Sequence, residues 1–152
     1  MPAGLDTISV RWLAAVCIVA LCAACDGDPT AGDPVCSSET QVTLGASVDG
    51  VLREDDHRFA GGYIDYYGLQ VDSTARLTVR LASTEMDPLL LLFDADGNVI
   101  AQAFHAVGTL PGVEQAPSIT RSFDPGCHLL GATAYTPNAT GVYTLSVEPA
   151  AP

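Results

Sequence analysis

Short runs in which apolar and polar residues alternate dominate the chain from Gln41 onward. The clearest run spans residues 76–81, where Leu77, Val79 and Leu81 fall on one face while two Arg and a Thr fall on the other. A period of two residues is that of a β-strand with one buried face. No stretch sustains the i, i+3, i+4 pattern of a helix for a dozen residues. The pattern therefore predicts an all-β domain.

Turn-forming residues separate the predicted strands. An apolar run at residues 89–93 is followed by the turn sequence DADGN and by a second run at 99–104, which together predict a hairpin. Further strands are predicted at 117–123, 128–135 and 142–147. About eight or nine strands of roughly five residues fit a jelly-roll-like sandwich of two packed sheets. We expect this β-sandwich domain to occupy residues 39–149.

The N-terminal region has the features of an export signal. Residues 12–24 form a thirteen-residue run without a charge, preceded by Arg11. A membrane-spanning helix needs about 20 apolar residues, so this run is too short to span and has the length of a signal-peptide core. It ends in the sequence LCAAC, which resembles a bacterial lipobox, although Cys22 stands where Leu is usual. The resemblance implies a lipoprotein-type signal peptide at residues 1–24 and a lipid on Cys25.

An ordinary secretory signal cleaved near Ala24 is the alternative, which would leave the protein secreted and without an anchor. With the lipid, the protein would be held on a membrane of the bacterial cell envelope, in the periplasm or on the surface. Residues 26–38 are rich in Pro, Gly and Asp and show no periodicity, so Cys25 and this segment form a predicted anchor and linker over residues 25–38.

All five cysteines can be accounted for if the protein is exported. Of five cysteines, Cys17 and Cys22 would leave with the signal peptide and Cys25 would carry the lipid. Cys36 and Cys127 remain, and disulfides persist in an oxidising compartment. We therefore predict a Cys36–Cys127 disulfide, with two buried thiols as the alternative.

The charge of the chain excludes one class of partner. The formal net charge is −12, from 18 Asp and Glu against 6 basic residues, all of them Arg. Phosphate contacts need clustered Arg or Lys, so we expect no nucleic-acid binding. Electrostatic docking on an anionic membrane is disfavoured for the same reason.

Four segments, in order, resemble the bacterial pre-peptidase C-terminal domain family. Residues 62–71 (GYIDYYGLQV) resemble its D-x-Y-x-l-x-v strand, and residues 87–97 (DPLLLLFDADG) resemble its D-P-x-l-x-l-x-d-x-x-G element. Residues 125–129 (PGCHL) and 140–147 (TGVYTLSV) resemble its last two strands. The sequence departs from the pattern at His128, where Tyr is usual, and at Gly131 and Ala132, where larger residues are common.

The family resemblance implies a β-sandwich that is not an enzyme. Domains of this family are accessory modules found beside secreted hydrolases, and some relatives bind calcium, collagen or polysaccharide. The function expected is thus a lipid-anchored, non-catalytic envelope module for adhesion, ligand binding or support of a secreted partner. Its partners would be a protein or a polysaccharide. The alternative function is a secreted hydrolase or hydrolase inhibitor.

Calcium is the one cofactor that the resemblance makes worth testing. Asp94, Asp96 and the following Gly97 have the spacing at which a calcium loop begins, but the distal Glu of an EF-hand is missing. Asp65 and Asp87 could join a site only if the fold brought their strand ends together. A hairpin turn with Gly97 at positive φ explains the same residues without an ion. We favour the turn and predict no metal site and no cofactor.

No catalytic constellation is predicted. The sequence lacks a G-x-S-x-G elbow, and His57, His105 and His128 have no supporting motif. Asp55, Asp56 and His57 are interpreted as a solvated loop. Four tyrosines could form a sugar-stacking platform, but we favour tyrosines packed at sheet edges with their hydroxyls in water: Tyr63, Tyr66, Tyr67 and Tyr135.

Overall fold

The computed structural model of the chain describes residues 39–104 and 114–151. The predicted signal peptide, Cys25, the linker and Cys36 lie outside the described residues, so the division at residues 24 and 38 stays a prediction. In the described part, no helix is long and apolar enough to cross a membrane.

The described residues form ten β-strands in two sheets. They are β1 Thr40–Val42, β2 Ser47–Leu52, β3 His57–Phe59, β4 Gly62–Val71, β5 Ala75–Ala82, β6 Pro88–Phe93, β7 Val99–Phe104, β8 Ser118–Phe123, β9 Gly126–Ala134 and β10 Gly141–Pro149. The predicted all-β sandwich is confirmed. The strand count exceeds the expected eight or nine, and the three-residue strands β1 and β3 are too short to show a period of two.

The two sheets differ in size and pairing. The six-stranded sheet has the order β1-β4-β9-β6-β7, and β3 also pairs with β4; the four-stranded sheet has the order β2-β10-β5-β8. One edge of β4 pairs with β3 in its first half and with β1 in its second half, while β9 follows its other edge. Only the β1–β4 pairing is parallel among the described strands. The predicted β6–β7 hairpin is confirmed.

The main core fills the space between the sheets. Leu77, Val79 and Leu81 of β5 are buried on one face, as their alternation predicts. They meet inward-facing residues of the other sheet, among them Leu90 and Leu92 of β6. Full burial of such a side chain contributes about 1.5–3 kcal/mol relative to exposure. This apolar interlayer holds the sandwich together.

A second apolar cluster lies on the outer side of the six-stranded sheet. Ile64, Leu91 and Phe93 are buried there. Gly131 makes their approach possible, because a Cβ at this position would lie 2.7 Å from Cδ1 of Ile64 and 2.9 Å from Cε2 of Phe93. The absence of a larger side chain at residue 131, a departure from the family pattern, therefore has a packing reason.

Gly50 is required by a similar close approach in the four-stranded sheet. Gly50 of β2 lies directly opposite Tyr143 of β10. A Cβ on Gly50 would lie 2.3 Å from Cζ of Tyr143, far inside van der Waals contact. The tyrosine ring can therefore lie over β2 only because residue 50 has no side chain.

We predict that Gly50→Ala destabilises the domain by about 1–3 kcal/mol, the usual cost of forcing a methyl group into a packed site. Urea unfolding followed by circular dichroism measures this change. The matched control is Val51→Ala at the next, exposed position, where a change within about 0.5 kcal/mol is expected. Equal stability of Gly50→Ala and the unsubstituted protein would show that Tyr143 does not occupy this position.

Candidate functional site

A polar groove of about 470 Å³ opens on the side of the sandwich where β2 faces β1, β3 and β4. Four carboxylates, one guanidinium and one imidazole line it: Glu39, Asp49, Asp56, Asp65, Arg53 and His57. The lining charge is therefore negative, like that of the whole chain.

Three polar side chains bridge the two sheets at the inner wall of the groove. The hydroxyl oxygens of Tyr67 on β4 and Tyr143 on β10 are 2.6 Å apart. The Tyr143 hydroxyl donates to a carboxylate oxygen of Asp65, and the Tyr67 hydroxyl then donates to the Tyr143 oxygen. The two rings meet edge to face, with centroids 6.4 Å apart. Alternation along β4 puts Asp65 and Tyr67 on the same inward face, which is why both reach Tyr143.

Burial sets the protonation behaviour of this cluster. Burial raises the pKa of Asp65 above its ordinary value, against the hydrogen bond from Tyr143, and the nearby Asp56 carboxylate raises it further. Burial also raises the pKa of Tyr143, and the hydrogen bond that it donates to Asp65 acts in the same direction. Both effects keep the phenol protonated. The arrangement suits a bond between sheets better than proton transfer.

No local sequence pattern indicates that Asp65 and Tyr143 meet, because 78 residues separate them. Gly50 is the one sequence feature that agrees with this pairing, since a glycine inside a strand marks a place where another group lies close to the backbone. The tyrosine platform is not formed: Tyr63 and Tyr67 are buried. The expectation that these hydroxyls face water is wrong for Tyr67, whose hydroxyl bonds to Tyr143.

Asp94 lies in the turn between β6 and β7. Its Oδ1 accepts hydrogen bonds from the backbone amides of Asn98 at 2.8 Å and Asp96 at 3.0 Å. The bonds from Asn98 hold the pKa of the Asp94 carboxyl below its ordinary value. Gly97 has φ of 80°, as the turn interpretation predicts. The carboxylate is thus engaged in closing the hairpin.

The four aspartates considered for calcium are spread over the six-stranded sheet. Asp65 is inside β4, whereas Asp87 precedes β6 and Asp94 and Asp96 follow it. A strand of this length separates its two ends by about 20 Å. Among residues 39–104 and 114–151, no group of three or more His, Cys, Asp or Glu side chains is placed to hold a metal ion.

The remaining residues singled out in the sequence occupy separate places. Asp55 and Asp56 lie in the turn between β2 and β3, where Asp56 accepts a hydrogen bond from the Arg53 amide. His57 contacts the Tyr66 ring, with centroids 5.8 Å apart. Cys127 in β9 is disulfide-bonded. Because its partner lies outside the described residues, the predicted pairing with Cys36 stays a prediction.

Comparison with solved structures places this β-sandwich among known folds. The pre-peptidase C-terminal domain of a collagenase from Bacillus anthracis matches with a TM-score of 0.54 and 21% sequence identity, over 72% of this chain and 93% of that one. This match confirms, at the level of the fold, the resemblance seen in the sequence. CsCBM6-3 from Clostridium stercorarium, solved in complex with cellobiose, matches with a TM-score of 0.42 and 8% identity over 72% of this chain and 93% of that one. No family model and no curated protein matches the chain.

We predict that Asp65 makes the stability of the domain depend on pH. Because its folded pKa is raised above 3.8, the folded state binds a proton more readily than the unfolded state. This contribution favours folding at low pH and is lost as the pH rises through the folded pKa. Asp65→Asn removes the titration and keeps an oxygen that can accept from Tyr143.

Unfolding free energies of both proteins, measured by urea titration from pH 3.5 to pH 8, test this prediction. The stability of Asp65→Asn relative to the unsubstituted protein should increase with pH. A difference that is constant over the whole range would contradict a raised pKa at Asp65.

We also predict no calcium-specific stabilisation, because the four aspartates are spread out and Asp94 is occupied by backbone amides. Thermal melts with a chelator and with millimolar calcium measure the effect, with magnesium as the control for general charge screening. An ion that bound only the folded state would stabilise it by about 2.7 kcal/mol at a hundredfold excess over its Kd. A rise of several degrees that magnesium does not reproduce would contradict the prediction.

Proposed function

We propose that the chain is a lipid-anchored, non-catalytic β-sandwich module of a bacterial cell envelope, which binds a ligand or supports a partner. The observation that carries this proposal is the fold, since the sandwich matches nearly the whole of a pre-peptidase C-terminal domain. That domain is named as one part of a collagenase, so the fold occurs as a module beside catalytic machinery. The transfer to this chain is by analogy of fold.

The groove supports a role without catalysis. A catalytic hydroxyl needs a base that can take its proton. The Tyr143 hydroxyl does donate to a carboxylate, that of Asp65, inside the sandwich wall. Burial and this hydrogen bond raise the pKa of Tyr143, so the proton stays on the phenol and the bond joins β10 to β4. The carboxyl groups of the groove are better suited to contact with a cationic or hydroxyl-bearing partner than to turnover.

The anchor is supported by the sequence that precedes the sandwich. The lipobox-like LCAAC is followed by thirteen linker residues and then by β1, which begins at Thr40. A random-coil segment of thirteen residues would have a root-mean-square span of about 20 Å. This spacing would hold the module close to the membrane while leaving room for a partner.

Mass spectrometry of the membrane-extracted protein tests the anchor. The mature chain should begin at Cys25 and carry the mass of a diacylglycerol. Cys25→Ser should remove this mass, whereas the control Cys22→Ser should retain it because residue 22 leaves with the signal peptide. A mature chain that begins at Ala23 or Asp26 without acyl mass would exclude the lipoprotein and favour simple secretion.

The hydrolase alternative is tested with the same preparation. Peptidase, esterase and glycosidase substrates should show no turnover above that of a protein-free blank. Turnover that survives repurification would overturn the non-catalytic assignment.

A further inference from the structure

Over its four longest strands, the outer face of the six-stranded sheet lacks charged side chains. Along β4, β6, β7 and β9, the positions that alternate away from the core include no Asp, Glu, Lys or Arg. Ile64, Leu91 and Phe93 form the centre of this face, and Phe104 lies at the end of β7. We call it the apolar face.

The outer face of the four-stranded sheet has the opposite character. Its outward positions include Asp49 on β2, Arg80 on β5 and Glu148 on β10, with Ser and Thr at most of the others. Arg80 forms an exposed ion pair with Glu114, with an N–O distance of 2.6 Å. Water is the expected neighbour of such a surface. The chain has a net charge of −12, yet its charged side chains are distributed unequally between the outer faces of the two sheets.

Large apolar groups remain exposed on one side of the apolar face. Ile100 is 48%, Phe104 41% and Tyr135 57% exposed. The rings of Phe104 and Tyr135 stack with their centroids 5.2 Å apart, although they come from different strands. Gln102, which is also exposed, lies between Ile100 and Phe104 on this side of β7, so the stacked aromatic pair is the exposed apolar contact that the structure shows. Aromatic rings are favoured at the membrane–water boundary.

The anchor end of the chain leads to this same sheet. β1, the first strand after the linker, belongs to the six-stranded sheet. Cys127 lines a pocket beside the apolar face together with Phe93, Leu129 and, from the adjoining turn, Asp94. The predicted bond to Cys36 would therefore attach the linker at the edge of this face. A linker that spans about 20 Å would keep the apolar face near the bilayer, so the effective concentration of the face at the bilayer surface would be high.

We propose that the apolar face rests on the bilayer that holds the lipid anchor, with Phe104 and Tyr135 at the level of the headgroups. This inference rests on the lipid anchor of the proposed function. The contact is apolar rather than electrostatic, so the surface that fits it is a zwitterionic one, because an anionic leaflet would repel the acidic domain. Its role is to fix orientation: the four-stranded sheet then points away from the membrane.

A second copy of the chain fits the face less well. Ile100, Phe104 and Tyr135 expose on the order of 300 Å². A stable dimer buries about 800 Å² on each partner. Two chains of net charge −12 would also repel each other at short range.

Tryptophan quenching tests the orientation. The only Trp of the chain is Trp12, in the predicted signal peptide, so a substituted Trp reports on its own position. Phe104→Trp places the probe on the apolar face, and the control Ser47→Trp places it at an exposed position on the opposite face. The two sheets are about 10 Å apart, so the probes differ in depth. The full lipidated chain is reconstituted in zwitterionic vesicles with brominated acyl chains.

Quenching of Phe104→Trp should exceed that of Ser47→Trp several-fold, and thermal melts confirm that both variants are folded. Equal quenching, or none, in samples that carry the acyl mass would overturn the orientation and leave the anchor intact. A sample without the acyl mass would overturn the anchor itself. Emission changes that follow the protein-to-lipid ratio rather than bromination would overturn the membrane contact in favour of a second copy.

Discussion

The apolar interlayer between the two sheets is the interaction on which the rest of the structure depends. Inward residues of β5 and β10 meet those of β4, β6 and β9, and neither sheet could bury its apolar face alone. At the side of the sandwich that opens into the groove, the polar side chains of Asp65, Tyr67 and Tyr143 lie within this interlayer. Polar groups in this position must bond to one another, because an unpaired buried donor or acceptor costs about 1–3 kcal/mol. The two sheets can therefore pack together at the groove only if these inter-sheet hydrogen bonds form.

The two outer faces of the module differ in the residues that they carry. A sheet that faces water on its outer side carries polar and charged residues there, as the four-stranded sheet does with Arg80 and Glu148. The six-stranded sheet instead packs Ile64, Leu91 and Phe93 on its outer side. The two outer faces of the module are therefore chemically different. In the proposed orientation, the six-stranded sheet faces the membrane and the four-stranded sheet faces away from it.

Elements whose signal is local can be predicted from the amino-acid sequence. The alternation of β5 follows from the two-residue period of a half-buried strand, and the β6–β7 hairpin follows from the turn chemistry of residues 94–98. The sequence does not predict β1, β2 and β3. Three residues cannot show a period, so β1 and β3 depend on their pairing with β4. In β2, Gly50 stands at an inward position and Val51 at an outward one, so apolar residues do not alternate. Four ordered segments were enough to indicate the fold later matched by a solved domain.

Contacts between residues that are distant in the chain become apparent only in the folded structure. The contact between Asp65 and Tyr143, the need for Gly50 beneath the tyrosine ring and the room that Gly131 leaves for Ile64 all arise from strands far apart in the chain. The apolar cluster on the outer side of the six-stranded sheet could not be predicted from the sequence for a related reason. The continuous run of β6 predicts burial on both faces, but which side meets the other sheet is set by its register with β9. Local chemistry fixes strands and turns, whereas registers and packing partners exist only once the sheets are assembled.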